Sequence, residues 1–269
     1  MQVPLSPLQM LFRFQRRALA ASAALLLLAA CDDGPTGPTS YVQHAAGGVW
    51  VAVAEPAALP RVETWLPYVG EGQAAATLRE MRDRAARARS AGRVEEAMAL
   101  EDEMMRFAAV SLSRAPEPAR LLAAAAALDQ WVERSRARLA LGSYPELAAS
   151  TLRVGAQADS ARGALARDDA AGAVQHLTRG TLAAREHAPV AVGLRLMAAV
   201  EARLAGGAEE SAGVRRARHL LADAREGLAT GDSVRALRRA VYALQLLDAE
   251  GIAVPAPTPG TVDPRQPLQ

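Results

Sequence analysis

The chain has 269 residues, with 31 basic side chains against 29 acidic ones and a formal charge of +2; every base is arginine, lysine is absent, and Cys31 is the only cysteine. Without lysine there is no Walker-type phosphate lysine, Schiff base or pyridoxal-phosphate attachment. Without a second cysteine there is no disulfide, iron–sulfur cluster, cysteine zinc site or attached c-type haem, so stability must come from packing.

Residues 1–30 read as an export signal. Arg13, Arg16 and Arg17 precede the apolar run Ala18 to Ala30, and small residues lead up to Cys31, the order expected of a cleaved leader. The run is shorter than the ~20 residues a spanning helix needs, and Asp32 and Asp33 follow at once. An uncleaved anchor is the alternative. Met10 is an alternative start to Met1. The tetrapeptide Leu28-Ala29-Ala30-Cys31 resembles the lipobox of bacterial lipoproteins. That resemblance implies acylation of Cys31, cleavage before it, and a mature protein held by lipid on the periplasmic face of the inner or outer membrane. Asp32 resembles the inner-membrane retention signal of enterobacterial lipoproteins. Loss of Arg13, Arg16 and Arg17 leaves one base fewer than the acids. A binder of phosphate backbones needs a clustered positive excess, so no nucleic-acid partner is expected.

Residues 31–46 are expected to be the anchor and a flexible linker, since 32–40 consist of turn formers and polar groups. The folded domain is expected over 47–252. Gly47 to Ala54 is a brief apolar run with strand character and no evident partner strand, so it is expected to lie extended against helices. Residues 253–269 carry five prolines and are expected to form a disordered tail.

Between these ends, alanine, leucine and arginine with apolar groups at helical spacing predict an all-α domain of antiparallel hairpins, stacked as a bundle or short solenoid. Breakers delimit eight helices, at about 73–90, 93–113, 116–141, 146–167, 169–187, 189–205, 210–229 and 232–250. The last carries the clearest stripe, Val234, Leu237, Val241, Leu244 and Leu247; the third repeats the pattern with Leu121, Leu128, Trp131, Ser135 and Leu139. Such stripes make a core, with a groove for a foreign helix as the alternative.

Three sets of small residues share one spacing: Ala85, Ala88 and Ala97; Ala161, Ala164 and Ala173; Ala224, Gly227 and Ala236. Each flanks a turn, at Ala91-Gly92, Asp168-Asp169 or Gly231-Asp232. Around Ala224 to Ala243 the pattern resembles the helical hairpin of tetratricopeptide repeats. The sets lie 76 and 63 residues apart, where tandem repeats of that family would give about 34. The spacing also suits three related units of two or three helices.

No metal, cofactor or catalytic residue is assigned. His176 and His187 fall about 16 Å apart on one predicted helix, too far to share an ion. His219 lies one turn from Arg215 and Asp223, and His44 in the irregular leading segment. Glu95, Glu96, Glu101, Asp102 and Glu103 cluster on the second helix, where the first two complement the helix dipole. The least compensated arginines, Arg215, Arg218, Arg225, Arg235, Arg238 and Arg239, are the candidate surface for an acidic partner. Trp65 and Tyr68, just before the first predicted helix, either cap the core or anchor a partner. Taken together these features predict a lipid-tethered scaffold or interaction module of the cell envelope with an unidentified protein partner and no enzymatic activity. The alternative is a carrier whose helices surround an apolar ligand, with Met98, Met104, Met105 and Met197 lining the cavity.

Overall fold

The computed structural model describes residues 41–45, 48–206 and 211–252. Cys31, the expected leader, the linker up to residue 40 and the proline-rich tail lie outside them. The chain is all-α, with nine helices among the described residues packed as sequential antiparallel pairs and a small β-hairpin in front. Strands β1 (Tyr41–Ala45) and β2 (Gly48–Ala52) pair antiparallel, with Tyr41 opposite Ala52 and Ala45 opposite Gly48. The expectation that the apolar run lacks a partner is therefore corrected. Its partner is the Tyr41–Ala45 segment assigned above to the linker, and His44 lies in a regular strand.

Helix α1 (Val62–Trp65) is a single turn that continues into a 3-10 turn at Leu66–Tyr68. It adds a ninth helix to the eight expected. The eight are α2 (Gln73–Ser90), α3 (Val94–Val110), α4 (Pro118–Leu139), α5 (Pro145–Leu165), α6 (Ala170–Arg185), α7 (Pro189–Ala205), α8 (Ala212–Ala229) and α9 (Ser233–Ala249). None of the described helices is long and apolar enough to cross a membrane.

Two kinds of joint link these helices. The tight joints α2–α3, α5–α6 and α8–α9 turn through Gly92, Asp168 and Gly231, whose φ values of 73°, 58° and 82° lie in the left-handed region. In each, the next backbone N–H reaches back to close the helix: Arg93 to the Ala88 carbonyl at 2.9 Å, Asp169 to Ala164 at 3.0 Å, Asp232 to Gly227 at 2.7 Å. These are Schellman closures. Asp169 and Asp232 then cap the following helix, accepting from the N–H groups of Gly172 and Arg235. By contrast, α4, α5 and α7 each start on a proline, whose fixed φ and missing N–H suit a first helical position. The order is therefore hairpin plus single helix, hairpin plus single helix, hairpin. Ala88, Ala97, Ala161, Ala173, Ala224 and Ala236 are all buried at the hairpin crossings, which is where small side chains let helix axes approach.

The buried apolar residues form two cores. One gathers α1 to α6 around Trp65, Met104, Met105, Leu128 and Trp131. The other gathers α7 to α9 around Leu196, Met197, Leu221, Leu237 and Leu244. The stripes of α4 and α9 thus face inward. Met104, Met105 and Met197 are close-packed core groups, so the expectation that methionines line a ligand cavity does not describe their setting.

Between the cores runs the end of β2. Successive side chains of an extended strand point to opposite faces, and Val51 and Val53 join the first core while Ala52 joins the second. All three are buried.

Candidate functional site

Beyond Ala52, the strand meets the end of α6. There Arg185, Glu186 and His187 each hold a different part of the molecule. The Arg185 guanidinium lies 2.7 Å from Asp102, 3.4 Å from Glu101 and 3.7 Å from Glu55. It ties α3 and the segment after β2 to α6. Arg89 on α2 shares Glu101 at 2.5 Å. Three carboxylates face one another across this cluster, and partial burial pushes Glu55 and Asp102 upward from their ordinary values, opposed by Arg185.

The acids gathered here are partly those singled out by sequence. Glu101 and Asp102 belong to the arginine cluster, while Glu95 and Glu96 occupy the first turn of α3, with Glu96 paired to Arg93 at 2.9 Å. No group of three histidine, cysteine or carboxylate side chains among the described residues is placed to hold a metal ion.

Glu186 accepts from Arg153 on α5 at 2.8 Å, and its backbone carbonyl accepts from Arg195 on α7 at 2.7 Å. His187 is buried in the α6–α7 turn. Its Nε2 lies 3.0 Å from the Ser150 hydroxyl, its ring is tilted against Trp131 at 6.2 Å, and its carbonyl accepts from the Val53 N–H at 2.8 Å. Burial pushes its imidazole below the ordinary value, and nearby Arg195 lowers it further. The serine–histidine pair has no hydrolase geometry: Ser150 is 1% exposed, and its oxygen is also engaged by Arg153 at 2.9 Å. No substrate carbonyl reaches it there. His176, within α6, instead meets Gln157 at 2.9 Å.

Beside His187 opens a cleft of about 280 Å³ formed by Val51, the first residues of α5 and Arg195. Tyr144 is its buried aromatic wall.

The arginines proposed from sequence lie on α8 and α9. Arg225 pairs with Glu201 at 2.7 Å, Arg239 with Asp223 at 3.7 Å and Arg235 with Glu226 at 3.9 Å. Arg215, Arg218 and Arg238 are exposed on the same two helices. His219 is exposed as well. The result is a mixed-charge surface.

Trp65 and Tyr68 are 0% and 3% exposed. They do not present a partner anchor. The Tyr68 hydroxyl donates to Glu117, Arg114 and Arg120 lie 5.4 and 5.5 Å from its ring centre, and its carbonyl accepts from the Ser113 N–H at 2.9 Å. Trp65 is packed in the first core, and Tyr68 meets the α3–α4 connection beside it.

Sequence reasoning did not find the Arg203–Asp248 pair. Arg203 on α7 is 3% exposed and bonds Asp248 on α9, joining the two helices that flank α8 in sequence. No protein-family model, curated protein or solved structure matches this chain.

Proposed function

We propose that the protein is an exported lipoprotein, anchored through Cys31, whose helical domain works as a passive interaction or scaffold module in the cell envelope. The observation that carries the reading is the serial construction: three hairpins closed by the same left-handed turn and spaced by single helices. Chains of stacked helix pairs expose long runs of helix surface and hold partners on them without covalent chemistry. The lipobox-like Leu28-Ala29-Ala30-Cys31 supports membrane residence. The mixed-charge surface of α8 and α9 is the proposed contact for an acidic envelope protein, and no cofactor is invoked. Arg215, Arg218, Arg235 and Arg238, all exposed on these two helices, are the four to change.

The test is crosslinking in intact membranes, comparing the native chain with a variant carrying glutamate at those four positions. A reproducible crosslinked protein lost in the folded variant supports the reading. An unchanged crosslinking pattern overturns the assigned face. Fractionation of Cys31→Ala tests the anchor separately, and full membrane retention of that variant removes lipidation from the account.

A further inference from the structure

We propose that the cleft beside the α6–α7 turn binds a small carboxylic acid with an apolar body, its carboxylate taking the place of Glu146 on Arg195. The proposal is independent of the scaffold reading. Val51, Tyr144, Pro145 and Leu147 give the cleft apolar walls, and His187 and Arg195 add polar groups.

Arg195 is the charged feature. One end of its guanidinium donates to the Glu186 carbonyl at 2.7 Å, which fixes the side chain over the turn. The other end faces Glu146 at 3.8 Å, a carboxylate 86% exposed. An ion pair of that length at that exposure contributes little and orders little. A bound carboxylate would meet the same guanidinium at the rim of the cleft, with its apolar body against the cleft walls.

Two further features select one negative charge. The imidazole of His187, held down by burial, is neutral near neutral pH, so the cleft offers one full cation. The first turn of α5 adds backbone N–H groups, and its N-cap residue Tyr144 supplies no side-chain acceptor to them.

Size limits the guest. At about 280 Å³ the cleft lies at the small end of ligand sites, which suits an acid of roughly ten to fifteen heavy atoms rather than a diacyl lipid. His187 and Val51 both border the cleft, and Val53 is bonded to the His187 carbonyl. A guest would therefore rest on the strand that separates the cores.

Calorimetric titration of the full chain with 3-phenylpropanoate and with its uncharged amide tests the proposal. The acid is expected to bind at millimolar concentration or below and the amide at least tenfold more weakly. Arg195→Gln should weaken the acid about tenfold and leave the amide unchanged. Glu146→Gln should tighten the acid several-fold by removing the resident competitor; at so exposed a position it does not threaten the fold. Ser143→Trp, at the exposed rim, should block both compounds. No binding of the acid at millimolar concentration, equal binding of acid and amide, or an unchanged acid affinity in either Arg195→Gln or Glu146→Gln overturns the proposal.

Discussion

The backbone N–H of Val53 donates to the carbonyl of His187 at 2.8 Å, pinning the strand that lies between the two cores to the turn that joins them. Because Val51 and Val53 belong to one core and Ala52 to the other, a volume change at Ala52 bears on both. Ala52→Leu should cost about 1–3 kcal/mol by overpacking. In urea unfolding, the loss should shift the transitions of α2–α6 and α7–α9 together when each core carries its own fluorescent probe. Separate transitions in the native chain would refute the coupling.

The left-handed joints provide a second prediction. Asp168 occupies the position that Gly92 and Gly231 take in the sister hairpins, with φ of 58°. A side chain in that region carries strain that glycine lacks. Asp168→Gly should leave stability unchanged or raise it by up to about 1 kcal/mol, the loss of strain outweighing the added freedom of the unfolded chain. Gly92→Ala and Gly231→Ala should each cost about 1 kcal/mol, although no atom lies within 4 Å of the added carbon. Thermal melts of the three variants give the comparison, and stabilisation by either alanine would refute it.

Gly180 makes the opposite case, in which space rather than dihedral angle decides. A Cβ there would come within 2.7 Å of Leu128 and 3.1 Å of Gln157. Leu128 is fully buried. Gly180→Ala should therefore cost about 1–3 kcal/mol by forcing α6 away from α4 and α5, and Leu128→Val in the same chain should recover part of it.

Arg203 and Asp248 form an enclosed ion pair, with Arg203 3% and Asp248 21% exposed. Removing Asp248 takes a carboxylate away from a guanidinium that is 3% exposed. Asp248→Ala should cost about 3 kcal/mol, the lower end of the usual range because Asp248 retains some exposure. The double change Arg203→Met with Asp248→Leu should recover most of that loss. A single variant as stable as the native chain would show that the pair holds nothing.

Acidification should act on the α6–α7 turn in two opposed steps. His187 is held below its ordinary 6.5, so below that pH the unfolded chain takes up a proton that the folded chain resists. Stability is complete above 6.5 and declines toward the folded value. Glu55 and Asp102 are raised above 4.5 and 3.8, so their folded forms bind protons more readily. Their contribution rises as pH falls through the folded values and is complete below the ordinary ones. Urea midpoints from neutrality down to about pH 4 should lose the first step in His187→Gln and part of the second in Glu55→Gln.

The sequence shows eight of the helices because each of those is long enough for the apolar period to repeat, whereas α1 is a single turn. In α9, Leu237, Val241, Leu244 and Leu247 make the buried face visible without coordinates. The three sets of small residues were also legible, since a tight turn needs small residues at fixed offsets. The β-hairpin was not. Five residues a side make a marginal hairpin alone, and this one rests against helices far along the chain. Arg185 and Asp102 stand 83 residues apart, and no spacing rule links them. The arginines of α8 and α9 looked uncompensated because Glu201, partner of Arg225, lies on the preceding helix. Trp65 and Tyr68 stand before the long helices, but the α3–α4 connection that folds back on Tyr68 comes from more than forty residues along the chain.

The register of the hairpin has a mechanical consequence. Tyr41 lies opposite Ala52, so the chain enters and leaves the hairpin at the same end. A pull applied upstream of Tyr41 loads the pairs one after another, as in opening a zip, instead of shearing all of them at once. The strand β1 peels away at low force, while Val53 stays fastened to His187. The hairpin thus opens pair by pair, and each opening limits the tension that the leading segment hands on to the helices.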